Sequence, residues 1–203
     1  MTLPACLYLH GFLSSSASQK AQQMRHWYEQ QGCSERLATP DLSFAPRDAI
    51  AEAETALLAL QQRFGSVLIM GSSLGGYYAT YLAERYACTA ALINPAVAPY
   101  RLFADYLGEH EHFYRGTRHT LTLEHIEQLR ALDCTTLTHP ERLLLLLQTA
   151  DETLDYRLAA DYYRQCPSWL EGGGNHSFVH FTERLPMIVA FAQRHAETSN
   201  NGQ

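Results

Sequence analysis

The stretch Gly71-Ser72-Ser73-Leu74-Gly75-Gly76 joins an apolar run, VLIM, to the sequence YYATYLAERY. Two serines and three glycines at such a junction allow three readings. A phosphate-binding loop requires G-x-x-x-x-G-K-[ST]. Gly71 and Gly76 have its glycine spacing, but Tyr77 and Tyr78 follow, so no lysine reaches a phosphate. A dinucleotide fingerprint, G-x-G-x-x-G, fails because Ser73 stands at its second glycine. The pattern G-x-S-x-G is complete from Gly71 to Gly75, with Ser73 at the apex and Ser72 still leaving the strand. That pattern belongs to a sharp strand-to-helix turn that lifts a serine hydroxyl clear of the backbone. Glycines two positions to either side let strand and helix pass closely. The helix start behind the serine supplies free N–H groups and positive potential. A plain glycine turn fits the bare pattern too, so the decision rests on partners.

A serine is a weak nucleophile until a base takes its proton and an acid orients the base. Behind such an elbow the acid and then the histidine follow in the chain, each just past a strand. QTADETLDY places Asp151 at the end of the apolar run LLLLLQ. Asp155 competes, but its position suits the cap of the next helix, and Glu152 should point elsewhere. GGGNHSF places His176 in a glycine-rich loop whose freedom lets the ring reach back toward Ser73. His180 lies on the helix side of the same loop. Ser73, Asp151 and His176 are therefore the expected triad. An oxyanion hole needs two backbone donors. These are expected from Leu74, directly after the nucleophile, and from Phe12, in the LHGF turn after the first strand. Ser14, Ser15 and Ser16 then cap the next helix or line the entrance. No metal is expected: His176 and His180 lack the Glu of H-E-x-x-H. His110, His112, His119 and His125 match no ligand spacing and read as a charged surface.

The elements that must position these groups alternate. Apolar runs at ACLYL, VLIMGS, TAALI and LLLLLQ read as buried strands, ERLATPDL as a weaker one, and SWLEGGG as a short strand and glycine turn. Helices are expected from Ser18 as cap to Gly32, and through Ile50, Ala53, Leu57, Leu60 and Phe64, which share one face. Others are expected over GGYYATYLAERY, LEHIEQLRAL, YRLAADYYRQ and ERLPMIVAFAQRH, the last with Pro186 in its first turn. Continuous apolar strands separated by helices predict a parallel sheet covered on both faces. We expect one α/β domain over residues 1–203, with a frayed tail at 197–203. The irregular, charge-rich segment 96–139 reads as an insertion over one edge of the sheet. Its aromatics, Tyr100 and Phe103 with Tyr106, Phe113 and Tyr114, either line an acyl pocket or pack the segment on the sheet.

The 203 residues suffice for a full core, and 46% hydrophobic with 18% charged residues is a globular composition. A net charge of −6 disfavours nucleic acid and anionic membrane as partners. The five scattered cysteines form no C-x-x-C pair and read as free thiols in a reducing compartment. MTLPACLYLHGF reads as a first strand, not a signal peptide. The expectation is a cytoplasmic protein, monomeric or a small homo-oligomer.

Taken together, LHGF, GSSLGG, QTADETLDY and GGGNHSF resemble the YqiA-type esterases of the α/β-hydrolase superfamily, over roughly residues 3–192. The family pattern more commonly has glycine at Ala150 and aspartate at Asn175. The resemblance implies a short three-layer α/β-hydrolase fold without the usual leading antiparallel strands. It also implies a cofactor-free hydrolase of carboxylic esters or acyl-thioesters with a Ser73–Asp151–His176 triad. The alternatives are a non-catalytic protein of this fold that acts by protein binding, and a peptidase or acyltransferase using the same triad.

Overall fold

The computed structural model describes residues 3–112 and 116–200, the side chains of 197–200 excepted. Six strands form one sheet in the order β2-β1-β3-β4-β7-β8, every neighbouring pair parallel. They are β1 (Ala5–Leu9), β2 (Leu37–Ala38), β3 (Val67–Ser72), β4 (Thr89–Ile93), β7 (Leu143–Gln148) and β8 (Ser168–Glu171). The four central strands are the four apolar runs of the sequence, while the weak candidate in ERLATPDL and the short one in SWLE are the edges. Helices fill the crossovers, α1 (Gln19–Gln30), α2 (Pro46–Phe64), α3 (Leu74–Tyr86), α4 (Pro99–Phe103), α5 (Leu123–Arg130) and α6 (Tyr156–Tyr162), and α7 (Phe181–Asn200) follows the last strand.

Strand alternation divides the core in two. Leu7, Leu9, Ile69, Leu92, Leu145 and Leu147 pack on one face with Ala53 and Leu57 of α2, Leu82 of α3 and Leu129 of α5. Cys6, Tyr8, Leu68, Met70, Ile93 and Leu146 pack on the other with Met24 and Tyr28 of α1 and Ile188 and Phe191 of α7. Successive residues of a strand point to opposite faces, so a run that is apolar throughout can only be buried on both. The result is the three-layer α/β-hydrolase arrangement.

Two local expectations are revised. The closing helix begins at Phe181, so Pro186 lies inside it rather than in its first turn. The helix extends to Asn200, and 201–203 lie outside the described residues. The segment 96–139 is the crossover from β4 to β7, two neighbouring central strands. It is not an appendage at a sheet edge. It carries α4, α5 and a separate antiparallel hairpin, β5 (Gly108–Glu111) with β6 (Arg118–Leu121), and α5 packs on α2 and α4. Phe113 and Tyr114 lie outside the described residues. The five cysteines are free thiols. Among the described residues no helix is long and apolar enough to cross a membrane.

Candidate active site

The turn from β3 into α3 is closed by contacts that leave no room for side chains. A methyl group at Gly75 would fall into the carbonyl oxygens of Leu9 and His10, and one at Gly71 into the backbone of Gly75 and Gly76. Ser73 takes φ 58° and ψ −123° at the N-cap of α3, a conformation costing about 1–3 kcal/mol that persists only when its surroundings over-determine it. They do. Ser73 N–H donates to the Ile93 carbonyl at 3.1 Å, while the Ser73 carbonyl accepts from Gly76 at 2.9 Å and Ala96 at 3.0 Å. With its backbone tied down, Ser73 directs its Oγ into the space above the strands' carboxyl ends.

His176 Nε2 lies 3.1 Å from Ser73 Oγ, and its Nδ1 lies 2.8 Å from Asp151 Oδ2 and 2.9 Å from Oδ1. The Asp151 side chain is 2% exposed and that of His176 22%. Burial alone would push the Asp151 carboxyl up. The hydrogen bonds from His176 and from the N–H groups of Leu154 and Thr153 outweigh it, and the carboxyl is held below its ordinary value. Asp151 is thus an ionised acceptor that fixes an Nδ1–H tautomer, leaving Nε2 as the acceptor atom turned to Ser73 Oγ.

The loop after β1 lies against the serine: a Cβ at Gly11 would sit 3.2 Å from Ser73 Cβ. Leu42 N–H donates to His10 Nε2 at 3.0 Å, so the imidazole carries its proton on Nδ1, which donates to the Gly11 carbonyl at 3.0 Å. In a trans peptide the carbonyl and the following N–H point opposite ways. Holding the Gly11 carbonyl therefore turns the Phe12 N–H the other way. Among the described residues neither the Phe12 N–H nor the Leu74 N–H has an acceptor, and both residues line the cavity that contains Ser73.

That cavity has a volume of about 590 Å³ and includes Ser73, His176, Phe103 and Tyr106 in its wall. Tyr100, expected beside Phe103, is not part of it. It is buried under α5, donating to Asp133 Oδ2 at 2.9 Å with Arg130 over its ring. The histidine cluster is not simply a charged surface. His112 is buried, His119 stacks on Phe44 at 4.8 Å, and His110 packs against Phe12. No cluster able to hold a metal occurs among the described residues. The rivals are also placed. Asp155 caps α6 by accepting from Arg157 N–H. His180 pairs with Glu183 at the start of α7.

Three positioning residues escaped the sequence reading. Glu152 does not point elsewhere: its Oε2 accepts from the His176 main-chain N–H at 3.0 Å. Asn94, just past β4, accepts from Gln148 N–H and donates to the carbonyls of Asn175 and His176. The fully buried Gln148 accepts from Asn175 and Val179 N–H and donates to the Val179 carbonyl. Gly174, at φ +77°, lies against that Gln148 side chain, where a Cβ would collide. A lone amide closing a run of five leucines was the available signal, because an amide fully buried there must have partners.

The chain matches the uncharacterised protein family UPF0227 over residues 5–193. A stretch of 158 residues is 25% identical to alpha/beta hydrolase domain-containing protein 17C of Xenopus tropicalis, covering 71% of this chain and 46% of that protein. The chain thus spans about half the length of that relative. Est1E from Butyrivibrio proteoclasticus, solved with ferulic acid, superposes with a TM-score of 0.65 at 14% identity, covering 97% of this chain and 89% of that one. A structure from the metagenome-derived lipolytic enzymes LipS and LipT gives 0.66 at 17% identity, covering 96% of each chain. These superpositions establish a shared fold.

Proposed function

The chain belongs to the UPF0227 family, the YqiA-type group its motifs resemble, and from that premise we propose that it is a serine hydrolase of carboxylic esters or acyl-thioesters. The observation that carries the reading is the continuous line from Ser73 Oγ through His176 to the buried Asp151 carboxylate. His176 Nε2 takes the Ser73 proton as Oγ attacks the acyl carbonyl. Asp151 holds the imidazole in register and stabilises its cationic form. The N–H groups of Phe12 and Leu74 receive the oxyanion. Collapse expels the alcohol or thiol, which leaves with the proton from His176. Water, activated by the same imidazole, then cleaves the acyl-enzyme and returns Ser73 to its starting form. Each proton and bond is accounted for by the triad and water, so the scheme calls on no cofactor.

Labelling by a fluorophosphonate probe tests the nucleophile. The wild-type protein should take up one probe at Ser73, and Ser73→Ala none. Turnover of an activated short-chain ester should fall on the order of a million-fold in Ser73→Ala, as on loss of the nucleophile in subtilisin. Undiminished turnover by that variant sinks the assignment. A folded wild-type protein that neither takes the probe nor hydrolyses any ester points to protein binding on this fold. Esters, thioesters and amides of graded acyl length rank the acyl-transfer alternatives, since one triad serves them all.

A further inference from the structure

Lys20 is the only lysine in the sequence, and it lies at the start of α1 in the wall of the Ser73 cavity. Among the described residues no carboxylate lines that cavity, and none is within ion-pair distance of the Lys20 ammonium. The Asp151 charge acts on it from a distance, but burial dominates and pushes the ammonium down to about 8. A half-buried cation without a partner is costly unless a ligand supplies the counter-charge. Beside it, Ser18 is 8% exposed and also lines the cavity. Ser18 occupies the N-cap of α1, where its hydroxyl would ordinarily accept from the first turn, yet among the described residues its Oγ makes no hydrogen bond. α1 has twelve residues and no acidic residue in its first turn, so its N-terminal N–H groups and dipole are uncompensated. An ammonium, an idle hydroxyl and a helix N-terminus at one place in the wall form a donor set for an oxyanion.

We propose that this end of the cavity is a subsite for an anionic group of the substrate, a carboxylate or a phosphate, bound by Lys20 and Ser18 at the start of α1. The inference rests on the hydrolase reading for its connection to Ser73, and it narrows the substrate class to charged esters or thioesters. The charge can sit on the acyl chain or on the leaving group, and two pairs of substrates separate these sources. One pair is a butyryl ester and the matching glutaryl monoester. The other is an acyl thioester whose thiol bears a phosphate monoester and its dephosphorylated counterpart.

In one of the pairs the anionic member should have the higher kcat/KM, and the anionic-to-neutral ratio should fall about tenfold or more in Lys20→Met. Lys20→Arg should recover most of the ratio, and Ser18→Ala should lower it by a smaller factor. A ratio the same in wild type and Lys20→Met for both pairs overturns the subsite. Reductive methylation with labelled formaldehyde keeps the charge and gives one lysine resonance, so binding can be read without turnover. Titration of the Ser73→Ala protein with glutarate or inorganic phosphate should shift that resonance saturably, and an unmoved resonance overturns the subsite. A protein that hydrolyses no ester but shows the saturable shift sinks the hydrolase reading and leaves the anion site standing.

Discussion

The two walls of the Ser73 cavity are built differently. On the sheet side the backbone of Ser73 is held at both its N–H and its carbonyl, and the His176 loop is gripped by Asn94, Gln148 and Glu152. Close backbone approach at Gly71 and Gly75 leaves no slack. On the other side the 96–139 crossover contributes exposed Leu102 and Tyr106 and a hairpin that, among the described residues, pairs only with itself. On the acyl-transfer reading proposed above, the contrast separates two tasks. Acyl transfer tolerates displacements of well under an ångström, so its groups are over-determined. Acyl selection needs only a wall of suitable shape, which loose aromatic packing provides.

The sheet side should therefore break sharply. Asp151→Asn keeps the shape but lets the wrong tautomer form, and kcat should fall about ten-thousand-fold, as in the equivalent serine-protease substitution. A loss below tenfold would remove Asp151 from the orienting role. The same variant has a stability signature. The Asp151 carboxyl is held below its ordinary value when folded, so its contribution is complete above the unfolded pKa, near 4. That contribution fades as pH falls through the folded value. Chemical denaturation of Asp151→Asn should accordingly show a flatter acid limb than the wild type below about pH 4.

Gly75→Ala probes the steric half of the same wall. Its methyl would enter the Leu9 carbonyl and lie 2.6 Å from the His10 carbonyl. Both are fixed backbone of the β1 strand end, so neither can turn aside. Denaturant unfolding should register a loss of about 4 kcal/mol or more, the range reserved for such structural conflicts. A loss near zero would show that the strand–helix contact is more pliant than its geometry.

Gln148→Ala is smaller and more telling. It leaves two N–H groups and one carbonyl of the histidine loop without their partner. Stability should drop by about 2 kcal/mol, and kcat should fall more than KM rises because the loop holding His176 loosens. Equal damage to both constants would make Gln148 a packing residue only.

These residues also mark where the sequence stopped being readable. The apolar runs announce buried strands because a strand with apolar side chains on both its faces must be covered on both, and the G-x-S-x-G turn with Asp151 and His176 past strand ends announces a site. Glu152, Asn94 and Gln148 were opaque for one reason. Each works by reaching a backbone group far away in sequence, and spacing along the chain carries no trace of such a contact. Tyr100 and Phe103 show the same limit in a helix. They are three residues apart in α4, yet Tyr100 turns inward to Asp133 while Phe103 lies in the cavity wall. The hairpin β5–β6 was missed because its strands, GEHE and RHTL, are polar and short. They bury too little apolar surface to leave a pattern.

The loose wall should bend where the tight one breaks. The Phe103 ring sits 4.6 Å from that of Phe12, the residue proposed to supply one oxyanion-hole N–H. Its removal in Phe103→Ala widens the cavity and unties one aromatic pair, a contact worth about 0.5–1.5 kcal/mol beyond its area. Because each methylene in an apolar pocket is worth about 1–3 kcal/mol, the ratio of kcat/KM for octanoyl over butyryl esters should rise about tenfold. Steady-state kinetics on the two esters checks it. A variant whose acyl preference is unmoved while kcat collapses would reverse the comparison. Phe103 would then hold the Phe12 donor in place, and the crossover would belong to the over-determined half of the site.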